Sequence, residues 1–108
     1  MPAYALATLR NVKMGDDIVR YLERIEDTLA LYQGVFLVHG GKKMELEGHW
    51  PGDVVIIGFP DLSAAEAWYR SPEYAAIKPL RTNNSSADII LISGVGEGHK
   101  ATDVLDLV

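Results

Sequence analysis

Residues 54–59 read Val54-Val55-Ile56-Ile57-Gly58-Phe59, and the first four are apolar without a break. Successive side chains of a strand point to opposite faces, so a strand of this kind has no wet side. Two more runs behave the same way, Val35-Phe36-Leu37-Val38 and Ile89-Ile90-Leu91-Ile92. A sheet built from such strands must be covered on both faces.

The remaining segments supply cover for one face only. Ile18, Leu22, Ile25, Leu29 and Tyr32 recur at steps of four, three, four and three, which is one helical stripe. Arg20, Glu23, Arg24, Glu26 and Asp27 fill the other sides, so this helix lies on the surface. Asp16 and Asp17 suit its start in charge and in capping chemistry, and Gly34 suits its stop. Ser63-Ala64-Ala65-Glu66 has capping-box spacing and predicts a second helix that turns Ala67 and Trp68 inward. Ser71-Pro72-Glu73 predicts a fresh helix start, continued by Tyr74, Ile77 and Arg81. Tyr4 to Arg10 reads as the first strand. The second strand, Val35 to His39, meets Gly40-Gly41, and Met44 to Trp50 prolongs it past a bulge at those glycines. Pro51-Gly52-Asp53 and Pro60-Asp61 bracket the third strand.

The order is β-α-β-β-α-β, an α+β fold of the ferredoxin-like split βαβ type. With both helices spent on one face, the simplest cover for the other is a second copy of the chain. Each Val, Leu or Ile removed from water contributes about 1.5–3 kcal/mol. A handful per subunit outweighs a pairing cost of about 4–15 kcal/mol. The pattern therefore predicts a homodimer with two sheets packed around a shared interior, with dimer or higher oligomer open. The competing arrangement is a monomer whose core is widened by the tail.

The 108 residues suit one domain, placed at 1–95, followed by a flexible tail over 96–108. Gly94, Gly96 and Gly98 punctuate the tail, and Val104, Leu105, Leu107 and Val108 give it an apolar end that can dock on a neighbour. A formal net charge of -5 argues against a nucleic-acid partner, which calls for a basic face. The chain has no cysteine, which excludes disulfides, thiolate metal sites and a cysteine nucleophile. No apolar run nears the ~20 residues of a membrane span, and no signal peptide is visible at the start. Cytoplasmic residence is the expectation.

Three stretches carry a resemblance: Leu46-Glu47-Gly48-His49-Trp50-Pro51, Val54 to Pro60, and Ala67-Trp68-Tyr69-Arg70-Ser71-Pro72-Glu73-Tyr74. Together they resemble the DUF1330 family, from the first strand to about Gly94. The resemblance implies a dimeric α/β barrel. The wider fold holds cofactor-free monooxygenases, lactone isomerases and haem-dependent enzymes, so fold alone selects no chemistry. Two departures bear on shared chemistry. His39 stands where family members often carry Arg, and Gly58 where many carry Glu.

Several residues are candidates for a site. His39 closes the second strand on the face of Val35 and Leu37, where an imidazole can act as a base near neutral pH. It can equally be a strand-end histidine beside a glycine turn. Arg81 precedes the Asn83-Asn84 loop and can hold a carboxylate bidentately, with Asn83 assisting, or simply complement a helix C-terminus. Trp50 can wall a pocket or plug the turn onto the sheet. Tyr69 and Tyr74 keep a polar tip for ligand or solvent, while Trp68 is spaced as core. Glu45, Glu47 and His49 alternate as metal ligands on a strand would, but such charges also mark exposed edges, and no metal or cofactor is expected. Gly94-Val95-Gly96-Glu97-Gly98-His99-Lys100 lacks the Lys-Ser/Thr ending of a phosphate loop.

Two functions follow. One is a cofactor-free enzyme, an isomerase or monooxygenase acting on a small acidic metabolite, with His39 moving a proton and Arg81 anchoring the anion. The other is a non-catalytic module that binds a small molecule or recruits partners. Convergence of His39 and Arg81 on one apolar cavity favours the first.

Overall fold

A computed structural model describes residues 1–107. Val108, assigned above to the apolar end of the tail, lies outside the described residues. Four strands, β1 (Ala3–Arg10), β2 (Val35–His39), β3 (Asp53–Phe59) and β4 (Ser86–Ser93), form one antiparallel sheet in the order β2-β3-β1-β4. Three helices, α1 (Asp16–Ala30), α2 (Leu62–Tyr69) and α3 (Pro72–Thr82), connect them, so the expected βαββαβ order holds with its second helix in two pieces.

Helix ends follow local chemistry. The side chain of Ser71 accepts from the Tyr74 N–H at 3.1 Å, with Pro72 at the first helical position, as predicted. Helix α2 differs from prediction. Asp61, not Ser63, caps it, accepting from Ala64 N–H at 2.8 Å, so no Ser63–Glu66 capping box forms. The helix then turns Ala65 and Trp68 inward and leaves Ala67 exposed. At α1 the cap residue is Gly15, and Asp16 and Asp17 contribute charge in the first turn only. Its buried stripe is Ile18, Tyr21, Ile25, Thr28 and Leu29; Leu22 is exposed. After α1 the left-handed residue is Gln33, at φ 59°. Gly34 is required for a different reason: a Cβ there would sit 2.8 Å from both Leu29 Cδ2 and Phe59 Cε1.

The inner, helix-covered face presents Ala3 and Ala5 from β1 and Val55, Ile57 and Phe59 from β3. Trp68 is the hub against it. Its ring lies 5.6 Å from Phe59 and 4.3 Å from Tyr74, centroid to centroid. Its indole N–H donates to Thr28 Oγ1 at 3.0 Å, which explains a polar residue on the buried stripe of α1.

Among the described residues nothing covers the outer face. Val35, Leu37, Ile90 and Ile92 are 60%, 57%, 52% and 48% exposed. The segment 41–50 does not continue β2 as predicted; it is an irregular, fully exposed loop. Gly52 at its end cannot carry a side chain, because φ is +87° and a Cβ would collide with the Leu9 carbonyl. The tail forms a 3-10 helix over Ala101–Leu107. Its exposed residues and those of the loop help raise the Cα radius of gyration to 15.4 Å. About 13 Å is usual for this length.

Candidate functional site

Strand β1 lines the inner face with Ala3, Ala5 and Ala7 before its first large inner residue, Leu9. Alanines leave room beneath the helices. At the Leu9 end that room is not filled, and a cavity of about 250 Å³ lies between sheet and helices. Its walls include Ala5, Ala7, Val55 and Ile57 from the sheet and Ile18, Ile25 and Trp68 from the helices. It is smaller than a drug-sized pocket, but its apolar walls with a few polar groups have the character of a small-molecule site.

A register shift brings His39 into this wall. In β2, Phe36 pairs with Ile57 and Val38 with Ile56, so Leu37 between them has no partner. This is a bulge, three residues before Gly40, the first of the two glycines at which one was expected. It exchanges the faces of the residues that follow. His39 pairs with Val55 and stacks on Phe36, with ring centroids 4.4 Å apart and 11° between planes. The expectation that His39 shares a face with Val35 and Leu37 is therefore overturned; it lines the inner cavity, at the exposed rim. On the outer face Leu37 packs across Gly58, where a Cβ would lie 3.0 Å from Leu37 Cδ1. A side chain at position 58 would therefore have to displace Leu37.

Arg81 lines the same cavity and is only 6% exposed. No carboxylate among the described residues pairs with it. Its Nη2 donates to the Tyr74 hydroxyl at 3.4 Å, and its Nε has no partner. Tyr74 and Tyr21 share a hydrogen bond of 2.8 Å. Burial chiefly, and Tyr74 next, push the Tyr21 phenol far above its ordinary value, so it keeps its proton near neutral pH. For Arg81, burial works against the charge, but Tyr74 and then Tyr21 more than offset it, and the guanidinium is held above its ordinary value. Arg81 is thus a permanent buried cation.

The structure sorts the other expected residues. Tyr69 lines the cavity, with Lys78 Nζ 4.7 Å above its ring. Asn83 does not; it is the exposed C-cap of α3. Trp50 does not either, being 50% exposed in the loop. It is neither cavity wall nor plug. Its N–H donates to Glu45 Oε2 at 2.6 Å, and that bond chiefly holds the Glu45 carboxyl below its ordinary value. His49 meets the same oxygen at 3.0 Å, and Lys43 donates to the Trp50 and Gly52 carbonyls. Glu45, Glu47 and His49 therefore belong to an irregular loop and not to one strand face. Among the described residues, no group of three acidic, His or Cys side chains is arranged to hold a metal. Tyr21 was missed by sequence reasoning. Its only signal was helical spacing from Ile18 and Ile25, which Leu22 matched equally well.

A family model described as a domain of unknown function, DUF1330, matches residues 2–95. The chain belongs to the DUF1330 family. Solved structures similar to this DUF1330 chain share its ferredoxin-like fold. A protein of unknown function from Rhodopseudomonas palustris is 17% identical, with 88% of this chain and 83% of that chain covered and a TM-score of 0.63. A dimeric ferredoxin-like protein of unknown function from Jannaschia sp. CCS1 is 13% identical, with 87% and 100% covered and a TM-score of 0.61. A dimeric protein of unknown function with a ferredoxin-like fold from Bacteroides fragilis is 13% identical, with 86% and 96% covered and a TM-score of 0.50. No curated protein matches the chain. No helix among the described residues is long and apolar enough to cross a membrane.

Proposed function

We propose that the cavity binds a small acidic metabolite and that the protein isomerises it without a bound cofactor. One observation carries this: Arg81 is a buried cation with no acidic partner among the described residues. An unpaired charge held out of water costs several kcal/mol, and an anionic ligand offsets that cost when it binds. The apolar walls then hold the rest of the ligand. His39 at the rim is the group that moves a proton. An imidazole takes a proton from one carbon of the ligand and returns it to another, with no oxidant or reductant required. A second copy of the chain covers the outer sheet face, supported by the exposure of Val35, Leu37, Ile90 and Ile92 and by the dimeric state of two similar structures.

A thermal-shift screen of a metabolite library against the wild-type chain, His39→Ala and Arg81→Ala tests this. Acids should raise the melting temperature of the wild-type chain and of His39→Ala, and should fail on Arg81→Ala. A bound acid should be turned over by the wild type and not by His39→Ala. A set of hits that is neutral or cationic, or that survives Arg81→Ala, sinks the proposal.

A further inference from the structure

We infer that the ligand is a monocarboxylate whose two oxygens accept from the Arg81 Nε–H and from one tyrosine hydroxyl, and whose body is a single ring or a chain of similar bulk. This rests on the acid-binding reading above and narrows it to a head group and a size.

The head group follows from counting protons. Tyr21 and Tyr74 each carry one hydroxyl proton, and one of these lies between the two oxygens, 2.8 Å apart. Arg81 Nη2 also donates toward the Tyr74 oxygen. If Tyr74 donates to Tyr21, the Tyr21 proton is left over. If Tyr21 donates to Tyr74, the Tyr74 proton is left over. Either way one hydroxyl donor has no acceptor among the described residues. Tyr74 and Arg81 are 1% and 6% exposed, so bulk water does not supply that acceptor freely. The Arg81 Nε–H is a second unmatched donor. Ser85, also in the wall, adds nothing, since its hydroxyl donates to the Arg81 carbonyl at 2.8 Å. Asp53, the acidic side chain in the lining, belongs to the exposed rim. The buried end therefore offers at least two donors beside a positive charge, the Nε–H being the one fully removed from water. A carboxylate supplies two acceptor oxygens and the opposite charge together. A primary amide brings an NH2 group against donors and is rejected.

The size follows from the volume. An apolar cavity of about 150 Å³ suffices for benzene. At about 250 Å³ this one takes a ring with its carboxyl group, or an unbranched chain of comparable bulk.

The test is calorimetric titration of the full chain with benzoate, phenylacetate and hexanoate, each beside its primary amide. At least one acid should bind, more than tenfold tighter than its amide. The double variant Tyr21→Phe/Tyr74→Phe should weaken that acid about tenfold or more, the usual effect of losing a hydrogen bond to a charged group. If an acid binds but its amide matches it, or the folded double variant keeps full affinity, the head-group inference falls while the acid-binding reading stands. If the library yields an Arg81-dependent acid but none of these three binds, the size class falls. If no acid binds in either experiment, both fall. Should the double variant not fold, the contrast of acid with amide on the wild-type chain decides alone.

Discussion

From the same strand, β1, the sheet shows Ala3, Ala5 and Ala7 to its inner face and Tyr4, Leu6 and Thr8 to its outer face. The inner side chains are small because the helices bring large ones: Trp68, Tyr74, Tyr21 and Tyr69. Aromatic rings resting on alanines pack well at the Phe59 end and leave space at the Leu9 end. The outer face is the reverse, with medium-sized apolar groups on neighbouring strands forming a broad surface that none of the described residues covers. One face thus encloses a ligand-sized space, and the other is suited to a partner of its own shape. A covered face and an uncovered one answer differently to substitution.

Trp68→Ala should have the largest effect on the inner face, about 3–5 kcal/mol of lost stability in urea unfolding. It removes the ring that joins Phe59 to Tyr74 and leaves Thr28 Oγ1 without its donor. A loss below 1 kcal/mol would mean that Trp68 is not the hub. On the outer face, Ile90→Glu should leave the circular dichroism of the chain unchanged and weaken self-association by about 3 kcal/mol, since it places an unpaired charge in the proposed joint. Sedimentation velocity reads this directly, and an unaltered dimer would remove the outer face from the interface. Arg81→Met should act in the opposite sense to most core changes, raising stability by about 1–2 kcal/mol while abolishing acid binding. Such a trade is the mark of a charge kept for a ligand. Destabilisation instead would mean that the cation serves the fold.

The smallest effect is one of pH. Tyr21 has its phenol pKa raised in the folded chain, so above an ordinary phenol value of about 10 the folded state binds more protons than the unfolded state. Stability from this group is therefore fully present below about pH 10 and is lost as pH rises further. Tyr21→Phe should flatten that alkaline decline. An unchanged decline would assign it to other groups.

Much of this contrast is written in the sequence, and the part that is not has definite causes. Three unbroken apolar runs announce strands that are apolar on both faces, and Ser71-Pro72 fixes a helix start to the residue. Those same runs hide which side chain goes to which face. Val35-Phe36-Leu37-Val38 carries no alternation, so a one-residue bulge within it costs no visible pattern, and the side of His39 was misread. Tyr21 and Leu22 compete for one helical stripe at equal spacing, and the helix turned towards Tyr21 because its hydroxyl finds Tyr74. Asp61 and Ser63 are both capping residues two positions apart, and the aspartate took the role. Arg81 was legible as an anion anchor in residue type. Its burial without an acid depends on α3 packing against α1, which no local signal carries.

The unpaired Leu37 decides which end of β2 serves the cavity. Deleting that one residue would straighten β2 yet leave Val38 opposite Ile56 and His39 opposite Val55, so the imidazole would stay on the inner face and only the side chain that crosses Gly58 would be lost. An unbulged β2 that kept all five residues would instead turn His39 outward, so the extra residue is what lets a strand without alternation deliver an imidazole to the cavity rim.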